Sequence, residues 1–325
     1  MIRLQNINKT FKVKKREAGF GNAVRALFSR KYELVHALKD VSFSVSPGEM
    51  VGYIGPNGAG KSTTIKIMCG ILTPDSGFCE INGRTPWKNR LSHVKEIGVV
   101  FGQRSQLWWD VPVIDSFELI RDIYRTPQSL YEKNLNELTE ILDLSEILKT
   151  PARSLSLGQR MRCEIAASLL HEPKILFLDE PTIGLDAVSK IAVRQFIKRL
   201  NREKGTTVLL TTHDMQDIEA LTSRLILIGK GQILLDGSME DLKSSSLRSS
   251  SSKAPLNLNT EEIVAMLYKE LGICNRTWRF LAYASQTPSS TGQRLRRVLL
   301  PSSHGVLCTY SLFLHSTNQI PPPFP

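Results

Sequence analysis

The chain has 325 residues, of which 41% are hydrophobic and 22% are charged, and its formal net charge is +11. These values are typical of a globular protein and exclude a wholly disordered chain or a collagen-like fibre. The positive charge favours an anionic partner such as a nucleotide, a nucleic acid or a membrane surface, and a solvated basic face is the alternative.

The predicted elements begin with two short strands. Alternation of apolar and polar residues predicts strands at 2–7 and 41–45, and a basic segment at 12–31 lies between them. Four apolar residues of this segment fall on one helical face, which favours a short amphipathic helix. They are Phe20, Val24, Leu27 and Phe28. The apolar run 50–54 predicts a further strand, and a glycine-rich loop and a helix at 62–69 follow it.

Helices and buried strands alternate through the next part of the chain. Helical periodicity predicts helices at 114–125, 129–149 and 158–170. Apolar runs bounded by turn residues, which are typical of strands buried on both faces, lie at 175–178, 206–211 and 225–228. This alternation predicts an α/β fold with a mainly parallel sheet.

The composition changes after Asp241. Residues 243–253 are a serine-rich, low-complexity linker, 261–271 resemble an amphipathic helix, and 272–325 contain no Asp, Glu or Lys. We interpret the last segment as a poorly ordered tail, with a changed reading frame as the alternative. The predicted domains are 1–240 for the folded domain, 241–260 for the linker, and 261–325 for the helix and tail.

Nothing in the sequence suggests secretion or membrane insertion. Its apolar runs are far shorter than the ~20 residues that cross a bilayer. The N-terminus lacks the charged–apolar–small layout of a secretory signal. The five cysteines are widely spaced and form no C-x-x-C pair, which indicates free thiols in a reducing compartment. We therefore expect a cytosolic chain.

Residues 55–62 read GPNGAGKS and fit the pattern G-x-x-x-x-G-K-[ST] between a strand and a helix. The glycines let backbone N–H groups converge on phosphate oxygens, and the helix N-terminus adds a partial positive charge. Lys61 would reach the β- and γ-phosphates of a nucleotide, and the Ser62 hydroxyl would bind Mg²⁺. A tight turn without a ligand is the alternative. The predicted nucleotide-binding residues of this segment are Gly55, Pro56, Asn57, Gly58, Ala59, Gly60, Lys61, Ser62 and Thr63.

The apolar run 175–178 ends in two carboxylates. Asp179 can hold Mg²⁺ through water, and Glu180 can polarise the attacking water as a general base. Two acidic residues after an apolar run are a weak signal in isolation. Downstream of the glycine-rich loop, however, they indicate the second half of a phosphate site.

These motifs, together with the segment 155–159 that reads LSLGQ, resemble the ATP-binding subunit of ABC transporters over residues 1–240. The resemblance implies a P-loop NTPase with a RecA-like parallel sheet core, a small antiparallel β subdomain and an α-helical signature subdomain at about 104–165. The family signature is LSGGQ, and Leu157 departs from it. Within the signature, Ser156, Gly158 and Gln159 would contact ATP across a dimer interface. The alternative for Ser156 is an ordinary helix N-cap.

Four further residues match the family by position. The resemblance implies that Gln103 senses Mg²⁺ and the transported state, although Gly102 adds one residue to the usual spacing. His213 would hydrogen-bond the γ-phosphate and hold the attacking water. Asp186, in the sequence Gly-Leu-Asp, would bridge two subunits. Phe11 would stack on adenine, where the family more often has Tyr, and a core Phe is the alternative.

Trp108 and Trp109 follow Gln103 in the sequence. In the family, this region receives the coupling helix of the permease. Exposed tryptophans are good anchors for a docking helix, but we expect one of the two to pack inside the helical subdomain. The string around them resembles ATPases that are paired with ABC-2-type exporter permeases.

The predicted function is ATP hydrolysis by a transporter subunit. One chain carries one P-loop and one signature, so two copies, or a copy and a related cassette, would form composite sites for ATP and Mg²⁺. The resemblance implies separate membrane permeases, a peripheral location at the cytoplasmic face of the cell membrane, and transport in the direction of export, with import as the alternative and no nucleic acid partner. The main alternative is a soluble ABC-type ATPase acting on nucleic acid or ribosomes, and a non-enzymatic nucleotide switch is a third. The cargo is not indicated.

Overall fold

In the computed structural model the described residues are 1–14, 32–102, 104–212, 214–238 and 241. Contacts divide the chain into units 1–283 and 284–325, and every described residue belongs to the first unit. Several predictions fall outside the described residues: those for the basic segment with Phe20, Val24, Leu27 and Phe28, for Gln103, for His213, and for the linker, helix and tail beyond 241. The predicted domain boundaries remain predictions.

The described strands form two sheets. A small antiparallel sheet has the order β2-β1-β4, and a larger sheet has the order β5-β6-β7-β3-β8-β9. The larger sheet is parallel except for β9, which runs antiparallel to β8. The strands are β1 Ile2–Lys14, β2 Tyr32–Val45, β3 Met50–Ile54, β4 Ser76–Ile81, β5 Ile97–Phe101, β6 Ile175–Asp179, β7 Thr207–Thr211, β8 Arg224–Gly229 and β9 Gln232–Ser238.

Helices connect the strands of the larger sheet. The α-helices are α1 Lys61–Met68, α2 Arg90–Val94, α3 Val113–Tyr124, α4 Gln128–Ile141, α5 Leu157–Leu169, α6 Ala187–Lys204 and α7 Met215–Leu221, and a 3₁₀ turn covers Ala152–Ser154. This architecture confirms the predicted fold class, with a parallel sheet core, an antiparallel sheet and a helical region that carries the LSLGQ segment.

The central strands are apolar on both faces because the sheet is covered on both sides. All five residues of β7 are buried. Leu209 packs in the same cluster as Val51, Phe177 and the antiparallel sheet, whereas Leu210 belongs to the cluster that includes the helices α3 to α6. Alternate residues of one strand thus serve opposite cores, which is why these runs show no polar alternation.

Helix α4 is shorter than its periodicity predicts. The prediction placed a helix at 129–149, but α4 ends at Ile141. Asp143 has a left-handed backbone with φ 51° and so ends the regular helix. Leu144 and Ile147 beyond it are still buried, so the apolar spacing continues through a turn that is not helical.

The parallel strands bring the motifs together at one edge. β3 ends where the glycine-rich loop begins, and β6 ends at Asp179. Because β6, β7 and β3 are neighbours in the sheet, their carboxyl ends meet at the same edge, where ligands of open α/β sheets bind.

Candidate active site

A cleft of about 700 Å³ opens at this edge of the sheet. Its walls combine residues from the glycine-rich loop, from the end of β6 and from the β1–β2 hairpin. The lining residues that the sequence predicted are Phe11, Pro56, Asn57, Gly58, Gly60, Lys61, Ser62, Thr63, Asp179 and Glu180. The fold therefore assembles the two halves of the predicted phosphate site in one space.

At Gly60 the glycine-rich loop lies so close to the backbone of β2 that a side chain would not fit. This residue precedes α1 with φ 113°, and a Cβ atom here would lie 2.7 Å from the Ala37 carbonyl oxygen. Glycine permits both the left-handed backbone and the contact. The loop can thus turn its backbone N–H groups toward an anion in the cleft.

Lys61 is buried within this loop. Its Nζ donates hydrogen bonds to the carbonyl oxygens of Gly55, at 2.6 Å, and Pro56, at 3.2 Å. Burial lowers the pKa of Lys61, and the nearby carboxylates of Glu180 and Asp179 act in the opposite direction. The ammonium is thus held inside the loop by two carbonyl oxygens, and the two carboxylates offset part of the effect of burial.

Asp179 and Glu180 are held by the neighbouring strand β7. The Thr211 hydroxyl donates to Asp179 Oδ1 at 2.6 Å. The backbone N–H of Glu180 donates to the Thr211 carbonyl oxygen at 2.9 Å. Glu180 has a left-handed backbone with φ 58°, so the chain turns sharply where its carboxylate enters the cleft.

The extra residue before Gln103, Gly102, packs directly on this turn. Its N–H donates to the Asp179 carbonyl oxygen at 2.8 Å, and a Cβ atom would lie 2.5 Å from the Glu180 carbonyl oxygen. A larger side chain at 102 would push the strand β5 end away from the two carboxylates. The unusual spacing therefore places glycine at a point of close backbone contact.

The LSLGQ segment begins helix α5. Ser156 is its N-cap, with a reciprocal capping box in which Ser156 Oγ accepts from the Gln159 N–H at 3.2 Å and Gln159 Oε1 accepts from the Ser156 N–H at 2.9 Å. Ser156 is therefore a helix N-cap, which the sequence offered as the alternative to a contact with ATP. Leu157, the departure from LSGGQ, packs against Gly184, where a Cβ atom would lie 2.5 Å from Leu157 Cδ2.

Asp186 lies beside this segment and caps α6. Its carboxylate accepts hydrogen bonds from Ser189 N at 2.9 Å and Ser189 Oγ at 2.7 Å, which lower its pKa. A Cβ atom on Gly158 would lie 2.8 Å from Ser189 Oγ, so the two segments are adjacent. Ser156, Gly158 and Asp186 are not among the described residues that line the cleft.

Phe11 lines the cleft from the β1–β2 hairpin. It pairs with Val35 in the strand register, and the Lys9 ammonium lies 5.7 Å from the centre of its ring. Phe11 is only partly buried, so the alternative of an ordinary core residue does not describe it.

Sequence reasoning missed several residues of the cleft wall. They are Val35, His36, Ala37, Lys66, Ile71, Phe101, Gly102, Arg104 and Ile183. Lys66 could have been identified, because it lies in α1 little more than one helical turn after Lys61 and so near the same cleft. Val35 and His36 were not, because only the pairing of β2 with β1 brings them beside Phe11.

Both tryptophans after Gln103 are exposed. The exposed fraction is 59% for Trp108 and 52% for Trp109, so the expectation that one of them packs inside the helical subdomain is wrong. The loop is held through its backbone: Trp108 N donates to Ser116 Oγ at 3.1 Å, and the Arg153 N–H donates to the Trp109 carbonyl oxygen at 3.0 Å. The side chains are therefore left at the surface.

Comparison with known proteins identifies the family. The profile of the ABC transporter family matches residues 38–183. The ABC transporter ATP-binding protein NatA of Bacillus subtilis is 31% identical over 218 residues, which are 67% of this chain and 88% of NatA. The chain belongs to the ATP-binding subunits of ABC transporters.

Other relatives of this ABC ATPase differ in length. The linearmycin resistance ATP-binding protein LnrL of Bacillus subtilis is 34% identical over 64% of this chain and 66% of LnrL. The probable multidrug ABC transporter ATP-binding protein YbhF of Escherichia coli is 34% identical over 67% of this chain but only 37% of YbhF.

Solved structures of cassettes share the fold of this ABC ATPase. The dimeric post-hydrolysis state of the ATP-binding cassette MJ0796 with ADP and Pi has a TM-score of 0.62 and 28% identity, and the match covers 73% of this chain and 98% of that one. The ABC ATPase thus binds and hydrolyses ATP. Within the part of the chain that the structure describes, no helix has the length and apolarity to span a membrane.

Proposed function

We propose that this ABC ATPase hydrolyses ATP at composite sites between two copies of the chain. The observation that carries the proposal is the cleft, which joins the P-loop, Asp179, Glu180 and Phe11 but not the signature residues of the same chain. Ser156 and Gly158 of a second copy would complete each site at the γ-phosphate. Asp186, adjacent to Gly158 in its own chain, would then lie between the two copies.

The proposed roles of the residues combine their places in the cleft with their matches to the family motifs. Backbone N–H groups of the P-loop and the Lys61 ammonium would neutralise charge on the β- and γ-phosphates. Phe11 would stack on the adenine. Glu180, at a fixed turn beside Asp179, would polarise the attacking water, and His213 and Gln103, which lie outside the described residues, would assist it.

The residues of the cleft suit Mg²⁺, which prefers oxygen ligands and keeps several waters. Ser62 offers a hydroxyl, and Asp179 offers a carboxylate that Thr211 orients by its hydrogen bond. When bound, the ion would offset negative charge on the phosphates. No cluster of three or more acidic, His or Cys ligands occurs in the described ranges, which agrees with an ion held in large part by phosphates and water.

We infer further that the ABC ATPase works with separate permeases at the cytoplasmic membrane face and powers export. The exposed Trp108 and Trp109 support a docking surface, because large aromatic side chains at a surface are typical anchors. Two relatives are named for drug resistance or multidrug transport, LnrL and YbhF, which supports export.

The decisive experiment is Glu180→Gln. The amide cannot accept a proton from water, so hydrolysis should fall by ~10²-fold or more while ATP binding is kept. The variant should also accumulate as an ATP-bound dimer on size exclusion chromatography, because its closed sites cannot reset. The exposed Glu146→Gln is the matched control and should keep the parent turnover. Unchanged hydrolysis in Glu180→Gln would refute the assignment of the base.

A further inference from the structure

Glu164 is a buried carboxylate in the middle of helix α5, and it takes no part in the ATP cleft. Only 4% of the residue is exposed, and burial raises its pKa. Burying a carboxylate is unfavourable unless hydrogen bonds compensate it. The residues that compensate it therefore show what the side chain is attached to.

The carboxylate is bonded to the loop that links Gln103 to the tryptophans. The Ser105 hydroxyl donates to Glu164 Oε1, and the Gln106 N–H donates to Oε2 at 3.1 Å. The Leu107 N–H in turn donates to Ser105 Oγ at 3.1 Å. Gln106 Nε2 also donates to the backbone carbonyl of Glu164 at 3.2 Å. The loop is thus tied to α5 by both backbone and side chain.

A second contact joins the same loop to α5 one turn earlier. The Arg160 guanidinium lies 5.6 Å from the centre of the Trp109 ring, in the geometry of a cation–π contact. Ser156, Arg160 and Glu164 are spaced four apart, so they lie along one face of the helix. This face runs from the docking tryptophans to the capping box that begins the signature.

We propose that Glu164 is a positioning residue that makes the loop 105–109 and the signature end of α5 move as one body. A permease that contacts Trp108 and Trp109 would then displace or hold Ser156 and Gly158. The inference rests on the proposed composite site, in which those residues meet the ATP of the other copy. Coupling between two sites is reciprocal, so engagement of the signature by ATP should also alter the surroundings of the tryptophans.

The reciprocal effect can be measured on the full chain without a permease. The parent is Glu180→Gln with Mg²⁺ and ATP, and the readouts are dimer formation by size exclusion and intrinsic tryptophan emission. We expect an ATP-dependent change of emission in the parent. Replacing both Trp108 and Trp109 by Phe should remove that change, which assigns the signal to this loop.

Two variants in the parent then test the connection. Glu164→Ala and Ser105→Ala should still form the ATP-dependent dimer but lose most of the emission change. The double variant should lose no more of the emission change than Glu164→Ala does, because both substitutions break the same hydrogen bond between Ser105 and Glu164. Glu164→Gln should recover part of the change, since its amide oxygen can still accept from the Gln106 N–H. Glu146→Gln, an exposed charge change, should keep the full response.

The outcomes separate this inference from the proposed function. A dimer that forms with ATP but gives no emission change in the parent, or an unchanged response in Glu164→Ala and Ser105→Ala, would show that Glu164 is only a structural support. If Glu164→Ala fails to fold, as judged by its thermal unfolding transition, the milder Ser105→Ala decides. Failure of the parent to dimerise with ATP would instead refute the composite site, and the coupling with it.

Discussion

Residue 180 combines the side chain that we propose as the general base with a backbone conformation that glutamate rarely adopts. A left-handed residue other than glycine costs on the order of 1–3 kcal/mol and persists only where its surroundings determine it. Here, Thr211 accepts the Glu180 N–H, and Gly102 lies against the Glu180 carbonyl. The strain is thus maintained by β7 and by the end of β5, which together fix the direction of the carboxylate.

The P-loop lysine gives a prediction about binding itself. Lys61→Ala should weaken ATP binding as well as turnover, because the ammonium contacts phosphates already in the ground state. Equilibrium binding of a fluorescent ATP analogue measures this directly. The exposed Lys95→Ala, which removes the same charge outside the cleft, serves as the control. Equal affinities for Lys61→Ala and the unaltered chain would contradict the P-loop assignment.

At the scale of single residues, the sequence predicted what local motifs determine. The P-loop and the pair Asp179 and Glu180 could be identified because each follows a buried strand in a fixed pattern. The exposure of both tryptophans could not be predicted. It depends on Ser116 and on the segment around Arg153, which bind the loop by its backbone and turn both rings outward.

Helices α6 and α7 are joined by a buried ionic network next to the active site. Asp217 is fully buried, and its carboxylate accepts from Arg194 Nε, Thr182 Oγ1 and Thr212 Oγ1. Asp214 adds an ion pair with Lys190 at 2.7 Å. Thr182 follows Glu180 closely and Thr212 follows β7, so the network connects α6 and α7 to the edge of the sheet where the cleft opens.

This network predicts a large loss of stability on removing one partner. Arg194→Ala should lower the free energy of unfolding by about 3–5 kcal/mol, because it leaves Asp217 buried without its cation. Urea unfolding followed by circular dichroism measures the change. Arg199→Ala breaks an exposed pair with Glu203 on the same helix and should have little effect. If Arg194→Ala and Arg199→Ala lowered the free energy of unfolding by similar amounts, the buried pair would stabilise the fold no more than the exposed one.

The contact between α3 and the end of α5 predicts a pH effect. The ring of His171 stacks on Tyr124 at 3.9 Å between centroids, and burial lowers the pKa of His171 to about 4 from 6.5. Between these values the unfolded chain binds a proton that the folded chain does not, so stability is complete above pH 6.5 and falls as the pH drops toward 4.

Replacement of this histidine should flatten the pH profile. In His171→Gln the free energy of unfolding should fall less steeply with decreasing pH, by up to about 1.4 kcal/mol per pH unit within the window. Denaturant unfolding at a series of pH values from 4 to 8 measures both slopes. The difference between the proteins at pH 8 reports the loss of the Tyr124 stacking and of the hydrogen bond between His171 Nε2 and the Ile97 carbonyl oxygen, without any contribution from protonation. Parallel profiles would show that the pKa of His171 is the same in the folded and the unfolded chain.

At the scale of elements, the sequence predicted six of the nine described strands and four of the seven described α-helices, and it missed α2, α6 and α7. The pattern of apolar residues is the same for a helix and for the buried turn after it, as Leu144 and Ile147 show beyond the end of α4. Strands β4, β5 and β9 were hidden for another reason. All three lie at sheet edges, β4 and β9 are only partly buried, and β5 is five residues long, so the periodic signal of each is weak.

At the scale of the whole molecule, the lining of the ATP cleft includes neither the signature end of α5 nor the two tryptophans, whereas the tryptophan loop contacts α5 at Arg160 and Glu164. The class of fold followed from alternating strands and helices. The strand order did not, because β3 lies between β7 and β8 and is far from both in sequence. Only this order brings the P-loop beside Asp179, and only tertiary contacts with Ser116 and Arg153 hold the tryptophan loop so that both rings are exposed.

The tryptophan loop gives the prediction that concerns the assembled transporter. Replacing Trp108 and Trp109 by Ala should abolish transport and co-purification with the permease subunits. ATP binding by the isolated variant should remain, since neither side chain lines the cleft. Because more than half of each residue is exposed, 59% and 52%, the substitution should leave the thermal unfolding transition close to that of the parent. The exposed Ile123→Ala is the control for loss of apolar surface on the same helical region, and it should keep the permeases bound. If the double variant retained its membrane partners and its transport, the docking surface would lie elsewhere on the molecule.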